Sequence, residues 1–152
     1  MIKYISYSIS ITVLSWIAGM IFSSVFKKTE FYKKLSHLNW IKSETLNKRI
    51  GLKPFKWIVK NTFFKYFNPK LKLKNKVVMT ELDELRTEMT FSEISHLAGF
   101  GFVTIFAFVK LITGNYILSL TMMIVNVLLN LYPSLLQQEN KKRIDQFMKK
   151  YR

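Results

Sequence analysis

Residues 94–136 read ISHLAGFGFVTIFAFVKLITGNYILSLTMMIVNVLLNLYPSLL. Two apolar runs, 94–112 and 116–136, flank the tripeptide Thr113-Gly114-Asn115. Each run is long enough to cross the hydrocarbon core of a bilayer as a helix of roughly 20 residues. Gly and Asn tolerate positive φ, so the tripeptide predicts a tight turn between antiparallel helices. The stretch therefore reads as a transmembrane helical hairpin. A third apolar run, 4–26, contains no charged residue. Only Lys3 precedes it, whereas Lys27, Lys28, Lys33 and Lys34 follow it, which is opposite to the charge bias of a cleaved signal peptide. A retained anchor is expected. No β-type alternation and no internal repeat is evident.

The expected fold is an all-α integral membrane protein with three transmembrane helices and a basic, amphipathic cytoplasmic segment. One domain over 1–152 divides into helix 4–26, an interfacial region 27–93, helices 94–112 and 116–136, and a basic tail 137–152.

Charge supports this reading. The chain carries 24 Lys and Arg against 9 Asp and Glu, a formal charge of +15, yet is 49% hydrophobic. Apolar and basic residues are segregated into alternating blocks, as in a membrane protein with charged loops. So much of the chain would lie under lipid that a nucleic-acid partner is not expected. Without cysteine, disulfides, thiolate metal sites and Cys nucleophiles are excluded. Basic residues crowd 27–86 and the tail, and the hairpin turn has none. The positive-inside rule then places the N-terminus and turn outside, and the long loop and C-terminus in the cytoplasm.

Within the loop, Pro54 suits a first helical turn and Asn68-Pro69 a stop. On a helical wheel over 54–67, Phe55, Ile58, Val59, Thr62, Phe63 and Tyr66 share one face, and Lys53, Lys56 and Lys60 the other. This predicts an amphipathic helix, either lying on anionic lipid headgroups or packed on the other helices.

Polar side chains in lipid are costly and therefore informative. Asn126, Asn130, Ser134 and Gln137 lie close to one stripe of the third membrane helix. They read either as interhelical hydrogen bonds or as a ligand-facing wall. Before the second membrane helix stands Glu88-x4-Glu93-x2-His96, with Glu93 and His96 on one helical face. Three readings compete: Thr90-Phe91-Ser92-Glu93 as a capping box, a Glu-x-x-His metal half-site, and acid–base chemistry by His96. The metal reading lacks further membrane carboxylates. His37 has no comparable partner and reads as a surface histidine. Glu81, Asp83 and Glu84 suit the start of a short helix capped by Thr80. Pro133 predicts a kink, below which Gln137, Asn140 and Arg143 recur three apart. Counting back from the turn, His96 is roughly 27 Å and Gln137 roughly 33 Å along their helices at 1.5 Å per residue. The two motifs thus reach nearly the same depth.

Glu88-x4-Glu93-x2-His96, followed by Asn130-x-Tyr132-Pro133-x3-Gln137-x2-Asn140-x2-Arg143, resembles the glycosyl-diaponeurosporenoate acyltransferases of staphyloxanthin-type carotenoid synthesis. The family tends to carry Arg directly after the Gln and the Asn, where this chain has Gln138 and Lys141. The resemblance implies acyl transfer to a hydroxyl of a glycosylated isoprenoid or related lipid, in a bacterial-type inner (cell) membrane. His96 would then be the base, oriented by Glu93 or Glu88. Asn130 or Gln137 would donate to the developing oxyanion, with Asn126 and Asn140 beside them. Arg143 and nearby Lys residues would hold the phosphates of an acyl-CoA co-substrate. No permanently bound cofactor or metal is expected. The rival reading is a non-catalytic scaffold or lipid-binding subunit, in which these groups would be dispersed or mutually satisfied. Oligomeric state is left open.

Overall fold

A computed structural model describes residues 1–37, 51–62 and 79–151. The described elements are α1 (Ile2–Phe26), α2 (Glu30–Ser36), α3 (Leu52–Asn61), α4 (Met79–Ile112), α5 (Tyr116–Asn126), a π turn (Val127–Leu131) and α6 (Tyr132–Tyr151). There is no strand among the described residues. Three helical stretches, Ile2–Phe26, Met79–Ile112 and Tyr116–Lys150, are long and apolar enough to cross a membrane. The chain is a multi-pass, all-α membrane protein.

The turn between α4 and α5 follows from its residues. Gly114 adopts φ 79°, its N–H bonds to the Leu111 carbonyl, and the Asn115 N–H reaches back to Lys110. This paired closure satisfies two of the helix's last carbonyls and needs the left-handed conformation that glycine adopts at no steric cost.

α1 is built inside out. Its buried face is Ser8, Thr12, Ser15, Gly19 and Ser23, while Leu14, Ile17 and Ile21 are exposed. Lipid tails are as apolar as leucine, so helices gain by close backbone approach, and small residues allow it. The hydroxyls of Ser8, Thr12 and Ser15 donate to carbonyls of their own helix at 2.6–2.7 Å, and Ser95 Oγ of α4 donates to Ser23 Oγ at 2.9 Å. Leu14, Ile17 and Ile21 therefore mark the lipid face of this run, not the packed one.

Two departures from expectation concern the helix bounds. The helix expected at 94–112 begins fifteen residues earlier, at Met79, and is 34 residues long, roughly 51 Å at 1.5 Å per residue. The hydroxyls of Thr87 and Thr90 bond back to the carbonyls of Asp83 and Arg86, both at 2.8 Å, as in a helix that continues. The capping-box reading of Thr90 to Glu93 is thus overturned: neither residue lies at a helix start. The helix expected at 54–67 runs from Leu52 to Asn61, entered through Gly51 at φ 71° and closed by an extended Thr62. Residues 63–67 lie outside the described residues. Pro54 sits in the first turn, where its missing N–H leaves no bond unmade.

Pro133 acts through the π turn. It lacks an N–H, and its ring would crowd the carbonyl four residues back. The chain relieves this by widening the preceding turn, where the Tyr132 N–H bonds to Val127, five residues back. Asn130 sits in this turn, fully buried.

Gly99 allows a close approach: a Cβ there would lie 3.1 Å from the Ser15 carbonyl oxygen and hydroxyl and 3.2 Å from Asn130 Oδ1. At Gly101 nothing lies within 4 Å. Gly99→Ala is expected to destabilise the folded protein by about 1–3 kcal/mol. Gly101→Ala, on the same helix, should be neutral or stabilising by up to about 1 kcal/mol. Thermal unfolding of both variants in detergent measures the difference; equal midpoints would contradict the packing argument.

Candidate active site

α1, α3, α4, the π turn and the start of α6 enclose a cavity of about 680 Å³. This is within the usual range for small-ligand pockets, roughly 300–1,000 Å³. Its walls are mostly apolar: Trp16 and Met20 from α1, Phe55, Ile58 and Val59 from α3, and Leu128, Leu129, Pro133 and Leu136 from the last helix. Ser92, Ser95, His96 and Gln137 supply polar groups. The amphipathic α3 turns its apolar face onto this cavity. Phe55 packs on Tyr132 with ring centroids 5.0 Å apart, and Lys56 pairs with Glu139 at 3.0 Å. Packing on neighbouring helices, one of the two expected roles for this helix, therefore holds for its apolar face. Lys56 spends its charge within the protein.

His96 is the titratable group on the cavity wall. Its ring packs edge-on against Trp16, centroids 6.2 Å apart, and its Nδ1 lies 3.4 Å from Asn130 Oδ1. The Asn130 amide donates to Asn126 Oδ1 at 2.9 Å and to Ser15 Oγ at 3.0 Å. Asn126 in turn donates to the Phe100 carbonyl at 3.0 Å and to Thr104 Oγ1 at 3.3 Å. Asn126 and Asn130 of the polar stripe thus serve hydrogen bonding between helices that ends on an imidazole, whereas Ser134 Oγ is buried with no hydrogen-bond partner among the described residues. Asn130 has no free N–H to offer an oxyanion, which corrects the donor role expected for it. Gln137 keeps that role open, since its side chain lines the cavity.

The carboxylates lie elsewhere. Glu93 is fully buried, but its Oε2 receives Lys141 Nζ at 2.5 Å. Lys141 also donates to the Ser36 carbonyl at 2.7 Å, tying the end of α2 to α6. Gln138 lies beside the same carboxylate. Glu93 therefore orients Lys141, not His96. Glu88 is exposed and lines neither the cavity nor the cleft below. Both corrections share one reason: α4 is continuous, so its helical phase turns Glu93 towards α2 and α6 and Glu88 outwards. Asn140 is half-buried off the cavity, and Arg143 is exposed and paired with Glu139 at 2.5 Å.

Near Glu93, a polar cleft of about 90 Å³ is lined by Ser36, His37, Arg86, Gln138, Lys141, Lys142 and Asp145. His37, read from sequence as a surface histidine, lies in it. Arg86 binds Asp145, with Nε to Oδ1 at 2.5 Å. Tyr32 of α2 is buried, and burial first, then the Glu93 charge, raise its phenol above the ordinary tyrosine value. Among the described residues no group of three or more metal-binding side chains occurs.

Sequence reasoning missed the place of Trp16 and Ser15 in the site, and the role of Lys141 and Gln138 beside Glu93. The recurrence of small residues at 8, 12, 15, 19 and 23 was the available signal for the packed face of α1. The pairing of Glu93 with Lys141 had none, since the two are far apart in sequence. The Trp16 indole nitrogen is buried with no hydrogen-bond partner among the described residues.

The Glu93–Lys141 pair sets up a stability test. Side-chain exposures of 1% and 6% leave little water to replace a lost partner. Lys141→Met should destabilise by about 3–5 kcal/mol, because it strands a buried carboxylate. Adding Glu93→Leu should recover most of that loss. A double-mutant cycle by thermal unfolding reads the coupling, and strictly additive effects would contradict it.

Residues 27–150 match the family model described as glycosyl-4,4'-diaponeurosporenoate acyltransferase. No curated protein and no solved structure matches the chain. α1, which supplies Ser15, Trp16 and Met20 to the site, precedes the matched residues.

Proposed function

The chain belongs to the glycosyl-4,4'-diaponeurosporenoate acyltransferase family, and from that premise we propose that it moves a fatty acyl group from acyl-CoA to a hydroxyl of a glycosylated isoprenoid or similar membrane lipid. The observation that carries this reading is the position of His96 on the wall of a 680 Å³ apolar cavity, its Nδ1 held by Asn130. A cavity of that kind suits lipid chains, and the imidazole is the group in it that takes and returns a proton.

The reaction runs by direct transfer. His96 Nε2 takes the proton of the acceptor hydroxyl as its oxygen bonds to the thioester carbonyl carbon. The Gln137 amide donates to the oxyanion that develops. The C–S bond then breaks, and the thiolate leaves with the proton from His96. With no cysteine in the chain and no hydrogen bond between a serine and His96 among the described residues, a covalent enzyme intermediate is not invoked. The scaffold reading accounts for Glu93, Asn126, Asn130 and Arg143, which are paired within the protein, but it leaves His96 and Gln137 on the wall of an apolar cavity without a role.

The basic ends of the helices, with the polar cleft, face the cytoplasm in this reading, and the hairpin turn faces outside. The water-soluble donor then arrives from the side that holds acyl-CoA, and Arg143, exposed although paired with Glu139, would exchange that partner for the donor's phosphates. Purified protein in lipid nanodiscs, given radiolabelled acyl-CoA and a glycosylated isoprenoid, should form an acylated lipid and free thiol in equal amounts. Failure with the glycosylated isoprenoid but turnover with another hydroxylated lipid would correct the acceptor. No thiol release with any lipid acceptor would remove the acyltransferase reading.

A further inference from the structure

We propose that Asn126 and Asn130 form an amide relay that fixes the tautomer of His96, with the proton on Nδ1 and the Nε2 lone pair presented to the cavity. Its catalytic meaning rests on the acyltransferase reading above; the relay itself rests on geometry alone.

The relay starts from a group that cannot be turned round, the Phe100 backbone carbonyl. Asn126 Nδ2 lies 3.0 Å from that oxygen and 3.3 Å from Thr104 Oγ1. Thr104 spends its own proton on the Phe100 carbonyl at 2.7 Å, so its oxygen can only accept here. The amino end of Asn126 must therefore point at α4, which turns its Oδ1 towards Asn130. Asn130 Nδ2 meets that oxygen at 2.9 Å and Ser15 Oγ at 3.0 Å. Ser15 has spent its proton on the Thr12 carbonyl at 2.6 Å, so it too accepts. Both amide hydrogens of Asn130 are now placed, and its Oδ1 is what remains for His96 Nδ1 at 3.4 Å. An amide oxygen only accepts, so Nδ1 must carry the hydrogen. The contact is at the long end of the range, as is common for catalytic hydrogen bonds before a substrate fills the site.

Reversing any link sets two acceptors or two donors face to face at the fully buried side chains of Asn126 and Asn130, at about 1–3 kcal/mol for each group left unmatched. The arrangement does the orienting work that a carboxylate does in many histidine sites, and does it without a charge. Within a membrane helix that difference matters, because a buried carboxylate would need its own cation. Gly99 completes the arrangement, since a side chain there would press on both Ser15 and Asn130 Oδ1. Asn126 and Asn130 are thus positioning residues: they act through His96 and touch no substrate.

The chain has two histidines, so His37→Gln leaves His96 as the one to observe. Full-length protein labelled with ¹⁵N-histidine, in lipid bilayers at a pH where the ring is neutral, reports which nitrogen bears hydrogen. With Asn130 and Asn126 intact, Nδ1 should be protonated and Nε2 bare. Asn130→Leu removes the acceptor, and the Nδ1–H form should become the minor one. Asn126→Leu releases Asn130 to turn, and should give a mixture of both tautomers. A proton on Nε2 with both asparagines intact overturns the relay, and this needs no variant to fold. Retention of Nδ1–H in a folded Asn130→Leu protein overturns it as well. The readout involves no acyl transfer, so a failed relay leaves the turnover assay standing, and a failed assay leaves the tautomer measurement standing.

Discussion

Replacing His96 with alanine is expected to lower acyl transfer by about 10²–10⁴-fold, the usual contribution of a positioned acid–base group, without loss of folded protein. The side chain is half-buried at the cavity wall and its one described hydrogen bond is to Asn130. Truncating it opens onto a cavity that already exists but leaves Asn130 Oδ1 without its partner, a cost of about 1–3 kcal/mol, so the thermal midpoint should fall modestly. Turnover of purified His96→Ala, measured by thiol release beside its thermal midpoint, separates the two effects. Wild-type turnover in a folded His96→Ala protein would end the base assignment. The carboxylates sharpen the test. Glu88 is exposed, and Glu88→Ala should leave turnover and stability within the roughly ±0.5 kcal/mol typical of surface changes. Glu93→Gln should instead lower stability, because it leaves the buried Lys141 ammonium without its counter-charge.

Changing Gly19 to alanine is expected to have the largest effect on folding. A Cβ at Gly19 would stand 2.0 Å from the Ser95 carbonyl oxygen and 2.9 Å from its carbon. Both are backbone atoms in the middle of α4, and no side-chain rotation clears them. α1 must shift away from α4, which opens the Ser95–Ser23 hydrogen bond and moves Ser15 away from Asn130. Overpacking of a tight core costs about 1–3 kcal/mol even where neighbours can give; here they cannot, so the folded fraction should fall sharply. Gly19→Leu should abolish the native helix packing. The check is the monodisperse yield from detergent and the thermal midpoint, with Gly101→Ala, at an exposed position on α4, as the control. A Gly19→Leu protein with an unchanged midpoint would mean that α1 does not pack on α4 as described.

The sequence by itself determined the architecture. Hydropathy is a property of each segment, and a run such as 4–26 or 94–112 declares its solvent whatever it packs against. The Gly114-Asn115 turn declares the hairpin in the same local way. The asparagines at 126 and 130 and His96 were legible as candidates, because polar groups in lipid need partners wherever they go. What only the tertiary structure decided was which partner each one has. Glu93 stands three residues from His96, yet it turns to Lys141, 48 residues away. Asn130 turns to His96, 34 residues away. The capping box was a correct local pattern overruled by a helix that α6 and α2 support past it. The small-residue face of α1 is invisible to any rule that equates apolar with buried. In a bilayer that equation fails: large apolar side chains gain nothing by leaving lipid, so close backbone contact selects which face is packed. Segment solvation is additive along the chain and can be read from it. Partner choice depends on helical phase and on neighbours brought in from elsewhere, and exists only once the helices have packed.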